Sequence, residues 1–153
     1  MKIQWRKLII CIAIPLAVGG ISALLARDSM AAFAALNKPP LSPPGWLFPV
    51  VWTILYVFMG IASYLVLTSE KPNSTALNVY FVQLVFNFLW STIFFNLELY
   101  LFAFFWLVLL WILVLITTIL FYQISKPAGY LMLPYLLWLS FAGYLNFAIY
   151  LLN

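Results

Sequence analysis

Histidine is absent from this chain, cysteine occurs once, and only three residues are acidic. The missing histidine removes the commonest metal ligand and general base, and with it His-ligated haem. Cys11 stands alone, so no internal disulfide can form; it reads as a buried apolar thiol. The three acids, Asp28, Glu70 and Glu98, fall in three separate connections. No carboxylate pair, triad or metal cluster emerges from them. Conventional hydrolysis and metal catalysis are not expected, no metal site is assigned, and no cofactor is required.

Charge of either sign is scarce. Charged residues make up 7% of the 153 and hydrophobic residues 67%, with a mean hydropathy of +1.13. A soluble domain carries about 25% charged residues, so this chain lacks the polar groups that would cover a water-facing surface. Lipid is the solvent that fits. The net charge of +4 comes from basic residues scattered over termini and loops. They form no patch, so nucleic acid is not an expected partner.

What the chain has is long apolar runs. A membrane-crossing helix needs about 20 mostly apolar residues, and five runs qualify, at about 8–26, 46–68, 77–96, 100–124 and 130–152. They are continuous rather than alternating, which favours helices over a barrel. The expected fold is an all-α integral membrane protein, a single domain over 1–153 built as a bundle of five transmembrane helices. Between the first two runs lies a long connection with Lys38 and Pro39-Pro40-Leu41-Ser42-Pro43-Pro44-Gly45. Ser125-Lys126-Pro127-Ala128-Gly129 separates the last two. The basic start with Lys2, Arg6 and Lys7 resembles a signal peptide, but the apolar run is long and ends without a clean cleavage site; a retained helix is expected.

Orientation follows the basic residues. Lys2, Arg6, Lys7, Lys71 and Lys126 share one side, and only Arg27 and Lys38 lie on the other. The N-terminus is therefore expected in the cytoplasm, most simply of a bacterial cell. Asn73-Ser74-Thr75 then falls on the cytoplasmic side and reads as an ordinary loop rather than a glycosylation site.

The predicted helix interiors carry no ionisable Asp, Glu, Lys or Arg, which argues against proton-coupled transport. Uncharged polar residues do form stripes. Gln83, Asn87 and Ser91 recur every four residues on the third helix and share a face. Tyr135, Trp138, Ala142 and Asn146 share one on the fifth, and Trp52, Tyr56 and Ser63 one on the second. Buried amides need partners. These stripes are either interhelical glue or the lining of a cavity, and spacing leaves both open. Aromatics are 20% of the chain, with seven tryptophans. Trp5 and Trp46 sit at expected membrane interfaces, whereas Trp106 and Trp111 read as packing or lipid-facing. Trp52, Trp90 and Trp138 lie on or beside the polar stripes, where they would suit a flat apolar ligand with a few polar anchors.

Three blocks of residues carry a family resemblance. The first is Lys38-Pro39, Pro43-Pro44-Gly45-Trp46, Phe48, Val51-Trp52-Thr53, Leu55-Tyr56 and Met59-Gly60. The second is Gln83-Leu84, Asn87, Trp90-Ser91 and Phe94-Phe95. The third is Leu133-Pro134-Tyr135, Trp138, Phe141-Ala142, Leu145-Asn146 and Leu152-Asn153. In this order and at these depths they resemble the TspO/translocator protein family, the tryptophan-rich sensory proteins or peripheral-type benzodiazepine receptors. The resemblance implies a five-helix receptor, often a homodimer, that binds porphyrin-type tetrapyrroles such as protoporphyrin IX and benzodiazepine-site ligands. It puts pocket positions at Trp52, Asn87, Trp90, Trp138 and Ala142, with Phe33 in the first loop, which would act as lid; the polar stripes add Tyr56, Gln83, Tyr135 and Asn146 to the candidate ligand-binding residues. It also implies Trp52 and Trp138 as candidates for a light-dependent porphyrin degradation. Transport of tetrapyrroles or other small amphiphiles without ion coupling is the alternative function. Pro40-Leu41 stands where many members have Trp, and Leu145 to Asn153 lacks the basic residue of a cholesterol motif, so no sterol function is assigned.

Overall fold

The computed structural model describes residues 2–153, and every regular element among them is helical. Five helices are long and apolar enough to cross a membrane. They are α1 (Trp5–Ala26), α3 (Leu47–Leu67), α4 (Ser74–Ser91), α5 (Tyr100–Ile124) and α6 (Lys126–Leu152). A 3₁₀ turn, Arg27–Ser29, prolongs α1 into a five-residue helix, α2 (Met30–Ala34). The expected all-α bundle is what the chain forms.

The sequence boundaries need three adjustments. The break before α6 is the single residue Ser125, in extended conformation, because Pro127 sits in the first turn of the helix. Proline is tolerated there since the first turn has no intrahelical acceptor for its missing N–H. Helix α4 begins at Ser74, so Ser74 and Thr75 are in its first turn rather than in a loop. Asn73 serves the preceding helix, donating from Nδ2 to the carbonyls of Val66 (2.9 Å) and Leu67 (3.3 Å) at the end of α3. The long first connection is also partly helical, through α2.

Helix α4 ends in a π turn, Thr92–Asn96, closed by the Leu97 N–H on the Thr92 carbonyl at 3.0 Å. The one-residue shift carries the buried face from Ala76, Tyr80, Gln83, Leu84 and Asn87 onto Ile93 and Phe94. Glu98 takes a left-handed φ of 55° in the turn into α5.

The helices close into a ring in the order α1–α3–α6–α5–α4, with α4 back against α1. Its core runs through Tyr56, Met59, Val66, Tyr80, Leu84, Leu107, Leu110, Val114, Phe121, Met132, Tyr135 and Leu139. Large apolar side chains such as Leu24, Phe105 and Leu137 are exposed around the outside, as a lipid-facing surface requires. The α1–α3 seam is closely packed. Pro15 lacks the N–H that the Cys11 carbonyl would accept, and Gly60 packs on that turn. A Cβ built on Gly60 would stand 2.8 Å from the Cys11 oxygen and 2.5 Å from the Ile12 Cα. Only glycine leaves room there for the two backbones to approach.

Candidate functional site

The polar stripes of α3, α4 and α6 converge on one buried chain of hydrogen bonds. The Tyr56 hydroxyl donates to Asn87 Oδ1 at 2.7 Å, and Asn87 Nδ2 donates to the Tyr135 hydroxyl at 2.8 Å. The Tyr135 hydroxyl in turn donates to Gln83 Oε1 at 2.8 Å. Gln83 Nε2 ends the chain on Met59 Sδ, 3.9 Å away. Gln83 and Tyr135 are fully buried. Because a glutamine, an asparagine and two phenols satisfy one another, the membrane interior accepts four polar side chains at little net cost. In this arrangement Gln83 and Asn87 act as interhelical glue, one of the two roles their spacing allows.

A second, smaller system lies beside it. Trp90 Nε1 donates to Asn146 Oδ1 at 3.1 Å, while Asn146 Nδ2 donates to the Tyr100 carbonyl at 2.8 Å. The fully buried Asn146 thus ties α4, α5 and α6 together.

Aromatic rings cover both systems. Trp52 stacks on Tyr56 (5.6 Å between centroids) and meets Tyr135 and Trp138 edge-on at 6.1 and 6.4 Å. Phe48 and Phe141 flank Trp138 at 5.9 and 5.6 Å. Ala142, one turn beyond Trp138, is buried in the same core. The Trp138 indole N–H has no hydrogen-bond partner although its nitrogen is buried. Since buried N–H groups are nearly always paired, this is an unused donor surrounded by rings.

Of the residues singled out in the sequence, Trp52, Tyr56, Gln83, Asn87, Tyr135, Trp138 and Ala142 come together in one cluster. Trp90 and Asn146 form the adjoining system. Phe33 stands apart from Trp52 and Trp138. It packs edge-on against Phe94 and Phe95 at 5.9 and 5.2 Å and reaches the site through Phe94, which stacks on Trp90. Phe48 and Phe141 belong to the ring set around Trp138 and escape a search for polar stripes, because neither carries a polar atom. Trp106 and Trp111 are packing residues, as their helix suggests: their indoles donate to the Phe86 carbonyl and to Ser140 Oγ.

Space beside the site opens outward. A groove of about 470 Å³ between α3 and α6 is walled by Val51, Ile54, Phe58, Pro134, Leu137 and Trp138, among others. It is almost wholly apolar, and Leu137 on its rim is 71% exposed. No group of three His, Cys, Asp or Glu side chains comes together among the described residues.

Comparison with known proteins agrees with this architecture. The model of the TspO/MBR family matches residues 11–152. The tryptophan-rich protein TspO of Chlorobaculum tepidum is 43% identical over all of this chain and 99% of its own. That of Archaeoglobus fulgidus is 40% identical over 96% of this chain and 97% of its own. The human translocator protein is 37% identical over 77% of this chain and 72% of its own. With five membrane-spanning helices in a closed ring and a family match across nearly its whole length, the chain is a multi-pass integral membrane protein that belongs to the TspO/MBR family.

Proposed function

We propose that this protein is a membrane receptor or sensor that holds a porphyrin-type tetrapyrrole, protoporphyrin IX or a close relative, among α3, α4 and α6. The same site would take benzodiazepine-site ligands. The observation that carries this reading is the unpartnered Trp138 N–H, set among Trp52, Phe48 and Phe141 and beside the Asn87–Tyr135 hydrogen bond. A flat apolar macrocycle needs rings to stack on and a few polar anchors; this region supplies both. Family membership supports the reading, and the resemblance also favours a homodimer as the working unit.

Binding has to open the site, because the polar atoms of Asn87 and Tyr135 are taken up by each other and by Tyr56 and Gln83. The ligand would replace the Asn87–Tyr135 bond with contacts of its own and take up the Trp138 donor. A dark titration of the detergent-solubilised protein with protoporphyrin IX tests this, following tryptophan quenching and porphyrin absorbance together. Saturation near one ligand per chain is expected, weakened in Trp138→Phe and in Asn87→Ala. Wild-type binding by both variants would remove the assignment.

A second reading is transport of tetrapyrroles or similar amphiphiles without ion coupling. The lipid-facing groove reaching Trp138 favours it. Flux in proteoliposomes separates the two: binding without flux leaves a receptor.

A further inference from the structure

The fold sorts the chain's charge by end. Helices α1, α4 and α6 start at one end of the bundle, where α3 and α5 finish. The Gln4 N–H fixes the start of α1 to the last turn of α3, donating to the Tyr64 hydroxyl at 2.8 Å. Lys2, Arg6, Lys7, Lys71 and Lys126 stand at this end with Glu70 as its one acid, which accounts for the whole net charge of +4. At the other end Arg27 and Lys38 are balanced by Asp28 and Glu98. The basic residues form no run in the sequence; the up-and-down threading of the helices brings them to one face.

Two of these charges are held at the corner between α5 and α6. The Lys71 ammonium donates to the Gln123 carbonyl at 3.2 Å, so the connection between α3 and α4 lays its lysine against the last turn of α5. A carbonyl is neutral, and the positive charge is left uncancelled. Lys126 opens α6 directly after the break at Ser125. Both lysines are exposed. The two helices meet closely here: a Cβ built on Gly129 would stand 2.7 Å from the Tyr122 Cα. Tyr122 and Tyr130 therefore flank the break edge-on, with 5.7 Å between ring centroids, and are 41% and 58% exposed.

Exposed tyrosines at the end of a membrane helix settle at headgroup level, ring in the apolar layer and hydroxyl in the polar one. Their depth puts Lys71 and Lys126 at the height of the lipid phosphates. Below Tyr122 its face of α5 continues through Ile119, Ile116 and Ile112, at intervals of three or four residues and all exposed. The corner thus presents cations and hydroxyls to a headgroup and an apolar stripe to an acyl chain. A zwitterionic head carries its own cation beside the phosphate, whereas an anionic head gains the full attraction of two ammoniums. We propose that the α5–α6 corner seats an anionic phospholipid of the phosphatidylglycerol type. Lys71 and Lys126 hold its phosphate, the Tyr122 and Tyr130 hydroxyls add donors, and one acyl chain lies along the isoleucines. The corner is at the far end of the bundle from Phe48 and Trp52, and its lipid does not depend on what fills the site among α3, α4 and α6.

The experiment titrates the full chain in detergent with phosphatidylglycerol and, separately, with phosphatidylcholine of the same acyl chains. Native mass spectrometry counts the lipid retained, and the melting temperature is followed alongside. One retained phosphatidylglycerol per chain and a raised melting temperature are expected, both weakened by salt, with little phosphatidylcholine retained. A basic residue near an anionic surface is worth about fivefold in binding. Lys71→Gln combined with Lys126→Gln should therefore weaken phosphatidylglycerol binding by about 25-fold, while Arg27→Gln at the other end should leave it unchanged. Should the double variant fail to fold, Lys126→Gln alone, expected to bind about fivefold more weakly, carries the test. Equal retention of the two lipids would show a surface that does not read charge, and undiminished binding in the lysine variants would put the anionic lipid elsewhere; either result overturns the proposal. Inorganic phosphate that raised the melting temperature as much as the lipid would reveal a free-anion site and overturn it too.

Discussion

Asn87 of α4 donates to the Tyr135 hydroxyl of α6 at 2.8 Å, deep in the bundle, and both side chains spend their other polar capacity within the same chain of bonds. Tyr135 accepts from one amide and donates to another, so deleting its hydroxyl orphans two partners at once. Hydrogen bonds within membranes average about 0.6 kcal/mol by double-mutant cycles, whereas leaving a buried group unpaired costs about 1–3 kcal/mol. The second term dominates here because no water reaches these atoms. Tyr135→Phe is expected to destabilise the protein by about 1–3 kcal/mol, read as a lower melting temperature in detergent.

Asn87→Leu should behave similarly, since Tyr56 and Tyr135 would each lose a partner. Thermal melting without ligand decides the matter. A variant as stable as wild type would mean that Asn87 contributes nothing to interhelical cohesion and faces open space. A destabilised variant that also binds protoporphyrin weakly would show one side chain serving both cohesion and recognition.

Much of this arrangement is legible from spacing. Gln83 and Asn87 sit four apart in the sequence, and both reach the same Tyr135 hydroxyl in the fold. Tyr135 and Asn146 were on one predicted face, yet they serve two separate hydrogen-bonded systems, because Asn146 pairs with Trp90 and the Tyr100 carbonyl. Period alone does not say which neighbouring helix a residue meets. Phe48 was hidden for a different reason: it carries no polar atom, and its contact with Trp138 depends on how α3 lies against α6 rather than on any pattern within α3. The α4 boundary was misplaced because Ser74 and Thr75 read as loop residues, while polar residues in a helix's first turn face unpaired N–H groups and are well tolerated there.

Two glycines should respond oppositely to one added methyl. At Gly60 a Cβ would meet the α1 backbone itself, at the Ile12 Cα and the Cys11 oxygen. Backbone cannot swing aside as a side chain can, so α1 and α3 would have to separate. Gly60→Ala is expected to cost about 1–3 kcal/mol, the usual range for overpacking. At Gly20 nothing stands within 4 Å of the added atom, and Gly20→Ala should fall within about 0.5 kcal/mol of wild type. Melting temperatures of the pair, measured side by side, check the seam.

The two left-handed positions offer stabilising changes. Leu41 (φ 71°) and Glu98 (φ 55°) both adopt a conformation that glycine takes without strain. Leu41→Gly and Glu98→Gly are each expected to be neutral or to stabilise by up to about 1 kcal/mol, the strain relieved being partly offset by the greater freedom of unfolded glycine.

Orientation in the membrane is the last expectation open to direct test. Lys71, Lys126 and the N-terminal cluster of Lys2, Arg6 and Lys7 all lie at one end of the bundle, and the Lys71 ammonium donates to the Gln123 carbonyl at the end of α5 at 3.2 Å. Basic residues favour the cytoplasmic face, which puts the connection between α2 and α3 on the opposite side. The only native thiol, Cys11, is buried, so a single introduced cysteine gives a clean signal. In intact bacterial cells, Ser42→Cys, between α2 and α3, should react with a membrane-impermeant maleimide, and Ser69→Cys, between α3 and α4, should react only after lysis. Labelling of Ser69→Cys alone in intact cells would invert the topology and place the connection between α2 and α3 in the cytoplasm.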